Sequence, residues 1–153
     1  MKKISEVSKL VGVSKRTLQY YDDEGLLVVE RTKNNHRLYD RDDLEQIWKI
    51  LIYKEMGFEL NEIREIAGLS GRQREDYIQK KKAVIEQRIA ELHIQSEWIA
   101  VVLRLGMPQL PEEIGGFTYT ERIQRIREQL KGYAKYQEEA AFTNSTGGKG
   151  GER

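Results

Sequence analysis

Between Arg72 and Leu105 the chain runs without a single glycine or proline, and its apolar residues keep a seven-residue beat. Ile78, Ile85, Leu92 and Ile99 recur every seven positions, and Lys82, Ile89, Ser96 and Leu103 follow each of them by four. This is the a/d seam of a coiled coil, sustained over about four heptads, with charged residues elsewhere. At ~1.5 Å per residue the helix is roughly 50 Å long. Such a helix depends on packing rather than on propensity for its stability. The simplest partner is a second copy, joined through Ile78, Ile85, Ile89, Leu92, Ile99 and Leu103. Lys82 and Ser96 weaken the seam and are placed to set its register. The alternative is a helix lying along its own domain.

Upstream, ISEVSKLV (4–11) places Ile4, Val7, Leu10 and Val11 at helical spacing, with Ser5 as the expected N-cap. Gly12 interrupts, and Ser14 can cap a second helix from Lys15 to about Glu24. On it Leu18 and Tyr21 point inward and Lys15, Arg16, Gln19 and Tyr20 cover the outside. Two short helices joined by a tight glycine turn form a helix-turn-helix. Leu26–Val29 and His36–Tyr39 suit short strands around an Asn34-Asn35 tip, which makes a wing. Asp40 or Asp42 can cap a third helix with a stripe of Leu44, Ile47, Trp48, Leu51 and Ile52. A fourth carries Leu60, Ile63, Ile66 and Ala67 and stops at Gly68. After the long helix, GMPQLPEEIGG breaks the chain, residues 118–141 form an amphipathic helix, and the glycine-rich tail is expected to be disordered. The expected fold is therefore mainly α: a winged helix-turn-helix domain (1–70), a dimerisation helix (71–105), a C-terminal helical segment (106–142) and a tail (143–153).

The chain has no cysteine, which removes disulfides, thiolate metal sites and cysteine nucleophiles. Its two histidines, His36 and His93, lie far apart in sequence, so neither a metal nor any other cofactor is expected. MKKISEVSKL has two lysines with no apolar segment after them, so it does not read as a signal peptide, and no apolar run approaches the ~20 residues of a membrane span. Cytoplasm is the expectation. The net charge is only +1, but residues 1–41 hold nine Lys or Arg against six Asp or Glu. No nucleophile–base pair, phosphate-binding glycine loop or metal cluster stands out, and Asp22-Asp23-Glu24 sits at a helix end with no histidine beside it, so an enzyme is not expected.

SEVSKLVGVSKRTLQYYDDEGLL, NNHRLYDRDDLEQIWKI and KEMGFELNEIREI together resemble the MerR family of bacterial transcriptional regulators, continuously from about Ile4 to Leu69. Two departures are Gln19 before the tyrosine pair and Asn35-His36 at the wing. The first bears on which bases are chosen, the second on the wing tip. The resemblance implies a homodimer joined by an antiparallel coiled coil, bound to a pseudo-palindromic site in double-stranded promoter DNA. It further implies that the DNA is distorted for RNA polymerase, usually in response to an effector. Ser14, Lys15, Arg16, Gln19 and Tyr20 would face DNA from the second helix, and Lys33, Arg37 and Tyr39 from the wing, with Arg37 and Tyr39 matching a phosphate-contacting Arg-x-Tyr. Without the resemblance, Tyr20 and Tyr21 as core rings and Arg37 as a solvated wing charge stay open as the minority alternatives. Family members that sense metals or redox state use cysteines, which this chain lacks. For a small-molecule effector the candidates are Trp98, Phe117, Tyr119, Tyr133 and Tyr136, which could line a small pocket. The competing reading is that they pack the last helix onto the dimer. An architectural or excisionase-like winged-helix adaptor, bending DNA without an effector, is the rival function.

Overall fold

The computed structural model describes residues 1–113 and 115–146, with side-chain detail through residue 132 and at Glu139. Its elements run β1 (Lys2–Lys3), α1 (Ile4–Val11), α2 (Lys15–Asp23), β2 (Glu30–Arg31), β3 (Arg37–Tyr39), α3 (Arg41–Glu55), α4 (Leu60–Ala67), α5 (Gly71–Leu105) and α6 (Tyr119–Thr146). By contacts the chain divides into two compact units, Met1–Ile78 and Gln79–Arg153.

Local chemistry sets most boundaries in the first unit. Ser14 caps α2 by accepting from the Thr17 N–H at 3.1 Å. Asp40, rather than Asp42, caps α3: it accepts from the Asp43 N–H at 2.8 Å while Asp43 accepts from the Asp40 N–H at 3.0 Å. Gly12 and Gly25 end α1 and its successor in left-handed backbone, φ +76° and +72°, where a side chain would be strained. Ser5 does not cap α1. The helix starts one residue earlier, and the Glu6 carboxylate accepts from the Lys3 N–H at 2.8 Å instead.

The wing is shorter than its sequence suggests. Leu26–Val29 forms no strand: the Leu26 and Leu27 N–H groups donate back to the Tyr21 carbonyl at 2.9 and 3.3 Å, and Leu27 and Val29 are buried while Val28 is exposed. The ladder is β2 against β3, with Arg31 opposite Arg37, and Asn35 at the tip adopts positive φ (62°). The third strand was not foreseen: β1 pairs antiparallel with β3, Lys2 opposite Tyr39, giving the order β1-β3-β2.

The core gathers Val7, Leu18, Tyr21, Leu27, Val29, Tyr39, Ile47, Ile50, Phe58, Ile63 and Ile66. On α3 the buried face is turned from the expected stripe: Ile47 and Ile50 are inside, while Trp48 is 65% exposed and Ile52 is also exposed. The start of α5 belongs to this unit. Tyr77 stacks on Phe58 with ring centroids 6.1 Å apart and donates to the Glu65 carboxylate at 2.8 Å, which pushes its phenol pKa up. Ile78 packs against the core, so it is not a free seam position.

In the second unit α5 continues to Leu105 and α6 runs to Thr146, beyond the expected stop near 141. Ile94 and Leu130 are buried there. Residues 114 and 147–153, and with the latter most of the expected disordered tail, lie outside the described residues.

Candidate nucleic-acid interface

The α2 helix is anchored by two side chains and leaves a face clear. Leu18 is fully buried and Tyr21 almost so, and both lie on one side of the helix. Lys15, Arg16, Gln19 and Tyr20 are exposed on the other, as the spacing predicts. Ser14 and Thr17 share a hydroxyl hydrogen bond of 2.9 Å at the helix start. Ser14, Arg16, Gln19 and Tyr20 line an open concavity of about 510 Å³ with Lys54 from the last turn of α3 and Leu60 from α4. Lys54 was missed from the sequence. Its only signal is a base in the turn before Gly57, and nothing in periodicity ties that turn to α2.

Among the described residues Lys15, Arg16, Lys33 and Lys54 have no ion-pair partner. The other arginines of this unit that flank the helix end are committed. Arg37 Nε donates to Asp22 Oδ2 at 2.6 Å and its Nη2 to Asp23 Oδ1 at 3.0 Å. Arg31 donates to the same Asp22 oxygen at 2.9 Å and to Asn35 Oδ1 at 3.1 Å. Arg64 of α4 reaches Glu24 at 2.9 Å. The acidic run at the end of α2 therefore ties that helix to the wing and to α4. Burial works to raise the Asp22 carboxyl, but the hydrogen bonds and charges of Arg37, then Arg31, outweigh it and hold the group below its ordinary range. The hydrogen bond to Asp22 raises Arg37 in turn, although its burial opposes this.

Two wing residues differ from expectation. Tyr39 is fully buried, its hydroxyl closed to solvent and without a hydrogen-bond partner among the described residues, and burial pushes its phenol pKa up. It is a core ring in this conformation and presents nothing to a phosphate. Arg37 is mostly covered and held by two carboxylates, which makes it a brace for the wing. Lys33 and Asn34 are exposed beside the tip.

The seam residues Ile85, Ile89, Leu92, Ile99 and Leu103 are all exposed, from 42% at Ile85 to 82% at Leu103. Among the effector-pocket candidates, Trp98 and Tyr119 line a cleft in the second unit, and Phe117 lies under the Arg125 guanidinium, 4.0 Å from its centroid. The side chains of Tyr133 and Tyr136 lie outside the described residues. Among the described residues no group of three or more His, Asp or Glu side chains is placed to hold a metal ion, and no helix is long and apolar enough to cross a membrane.

Two family models match this chain: the MerR HTH family regulatory protein over residues 2–68, and the MerR DNA-binding region over residues 44–100. The chain is 32% identical over 128 residues to the HTH-type transcriptional regulator YfmP of Bacillus subtilis, covering 82% of this chain and 89% of that one. It is 28% identical over 150 residues to the HTH-type transcriptional activator TipA of Streptomyces coelicolor, spanning 93% of itself but only 59% of TipA. Its fold is similar to that of the N-terminal region of MtaN, the Bacillus subtilis multidrug transporter activator. There the TM-score is 0.61 at 32% identity, covering 67% of this chain and 98% of that one.

Proposed function

We propose that this chain, which belongs to the MerR HTH family of regulatory proteins, binds a pseudo-palindromic promoter site as a homodimer and controls initiation by RNA polymerase through distortion of the DNA. One observation carries the DNA-binding reading. Lys15 and Arg16 on the outward face of α2 have no ion-pair partner while Arg31, Arg37 and Arg64 around its end are tied to acids, so α2 presents unpaired positive charge on a face of the right shape for a major groove. Arg16 is suited to a guanine edge or a phosphate, Lys15 and Gln19 to base edges, and Tyr20 to a phosphate oxygen. Ser14 and Lys54 flank that helix toward the backbone, and Lys33 serves the wing. Arg37 acts from behind, through Asp22 and Asp23, by fixing where the wing stands.

The homodimer reading rests on the exposed stripe from Ile85 to Leu103. A helix that leaves an a/d seam in water is incomplete by itself, and a second copy buries it and sets two recognition helices on two half-sites. The domain scheme follows: DNA reading up to about residue 70, dimerisation over 71–105, and a C-terminal segment beyond.

The test is a footprint of the purified protein on DNA upstream of its own gene, and on sites selected from random DNA, across a salt series. Protection of a palindromic site within an over-long promoter spacer is the expected result. Uniform, salt-sensitive protection of every sequence, with no selected site, would overturn this reading in favour of an architectural DNA-bending protein.

A further inference from the structure

The DNA reading uses the outer face of α2, and the dimer reading uses the stripe of α5 from Ile85 onward. What joins them is short: Gly68, Leu69 and Ser70 are the whole connection between α4 and α5. The hydrogen bonds around it are local. Arg74 donates to the Leu69 carbonyl at 3.1 Å, and the Ser70 N–H donates to Gln73 Oε1 at 3.2 Å. They shape the first turn of α5 without tying it to α3.

Tyr77 reaches further. Its ring stacks on Phe58, with 6.1 Å between centroids and 29° between planes, and Phe58 in turn meets Tyr53 of α3 edge to face at 5.9 Å. Its hydroxyl donates to the carboxylate of Glu65 on α4 at 2.8 Å. One side chain in the second turn of α5 thus holds the segment between α3 and α4 with its ring and α4 itself with its hydroxyl. Arg64, beside Glu65, pairs with Glu24 at the end of α2, so the helix that receives the Tyr77 hydroxyl also steadies the recognition helix. Ile78 adds an apolar contact with the core, but burial of aliphatic surface is non-directional. The stack and the hydrogen bond are directional, and they fix a rotation as well as a distance.

We propose that Tyr77 is a positioning residue for DNA distortion: with Glu65 and Phe58 it sets the angle at which the dimerisation helix leaves the DNA-reading unit, and so which half-site spacing the homodimer accepts. The proposal rests on the homodimer reading above. Leverage makes one hydrogen bond matter. A change of about 5° at the start of a helix ~25 residues long carries its far end roughly 3 Å, close to the ~3.4 Å rise of a base pair. A loose joint accepts a site one base pair too long or too short. A stiff joint pulls the DNA to its own spacing and pays in deformation.

The experiment uses the full chain on a site selected from random DNA, and on the same site with one base pair added or removed between its half-sites. Each such change also turns one half-site by about 34°. We expect wild type to lose about tenfold or more in affinity on the altered sites and Tyr77→Phe less than about threefold, with the two proteins equal on the parent site. Glu65→Leu should match Tyr77→Phe, the double variant should add nothing further, and Glu65→Gln, which keeps an acceptor, should keep the wild-type preference. Because the chain has no cysteine, Lys9→Cys on α1 takes one spin label per chain. The label-to-label distances in the DNA-free homodimer should be at least about twofold more broadly distributed in Tyr77→Phe. The wild-type spacing preference retained in Tyr77→Phe overturns the proposal. So does an equal loss of affinity on all three sites, which marks a purely structural role. Helical content and sedimentation, measured alongside, show that each variant is folded and dimeric. A wild-type chain that selects no site overturns the DNA reading and this proposal with it, an outcome distinct from any pattern of the spacing series.

Discussion

The two units of this molecule satisfy their apolar residues in opposite ways. Residues 1–78 close a core on themselves, with Val7, Leu18, Tyr39 and Ile47 fully buried. Arg31, Arg37 and Arg64 are tied there to acids, while Lys15 and Arg16 lie on the outer face of α2 without an ion-pair partner. The second unit buries Ile94 and Leu130 but leaves five aliphatic seam residues in water along α5. Short helices joined by capped turns can fold back and finish their packing within one chain. A continuous helix of 35 residues cannot fold back on itself, and one of its sides is left exposed. On the homodimer reading proposed above, the contrast separates what the chain does alone from what it does as an assembly.

The largest effect should come from the seam. Ile85→Asp with Leu92→Asp removes two apolar knobs and places two like charges where copies meet. The expected product is a folded monomer, seen by sedimentation, whose DNA affinity falls about 10²–10⁴-fold through lost bivalency. A double variant that stays dimeric would break the comparison. Next is Leu18→Ala, which opens a cavity beneath α2 and should destabilise the first unit by about 2–5 kcal/mol in urea unfolding. Its oligomeric state should not change, because the seam is elsewhere.

Sequence made the helices legible because helix boundaries are local. Ser14 and Asp40 cap where they should, Gly12 and Gly25 terminate, and the family motifs lead to the same winged fold. What escaped is what distant residues decide. Asp22 meets Arg31 and Arg37 only after the chain has turned through a wing, and Glu24 meets Arg64 from another helix. A charge run alone carries no trace of such partners. Residues Lys2–Lys3 become a strand because β3 offers an edge, and two residues contain no period to read. The turn of α3 that hides Ile50 and exposes Trp48 is likewise fixed by what packs on it. The outer face of α2 was legible for a simple reason: once Leu18 and Tyr21 are inside, helical geometry puts Arg16 and Tyr20 outside.

Among the cations, the free and the braced can be told apart by salt. Arg16→Ala should weaken DNA binding by about 1–3 kcal/mol and, where Arg16 sits on a phosphate, flatten the log affinity–log salt slope by about 0.9. Arg37→Ala should weaken binding by a similar amount but leave the slope unchanged, because a residue neutralised by Asp22 and Asp23 releases no counterion from DNA. A slope change in Arg37→Ala equal to that in Arg16→Ala would mean that Arg37 leaves its carboxylates for the phosphate backbone.

The smallest effect is the dependence of the brace on pH. Asp22 has a folded-state pKa below its ordinary 3.8, so it binds a proton less readily folded than unfolded. Its contribution to stability is fully present above about pH 4 and is lost as pH falls through the lowered value. Between pH 6 and 8 the brace is fully charged and should contribute no pH dependence to folding. Below pH 4 the wing should loosen, and the wild-type chain should lose more stability on acidification than Asp22→Asn, which never carries the charge. At neutral pH that variant should be less stable by about 1.5 kcal/mol, the low end for a hydrogen bond to a charged group. Amide exchange at Thr32 and Asn35, whose N–H groups hold the wing turn at 2.9 and 2.8 Å, reads the loosening where it occurs. Equal acid sensitivity of wild type and Asp22→Asn would assign the pH response to other carboxylates and leave Arg31 and Arg37 with only a surface pairing.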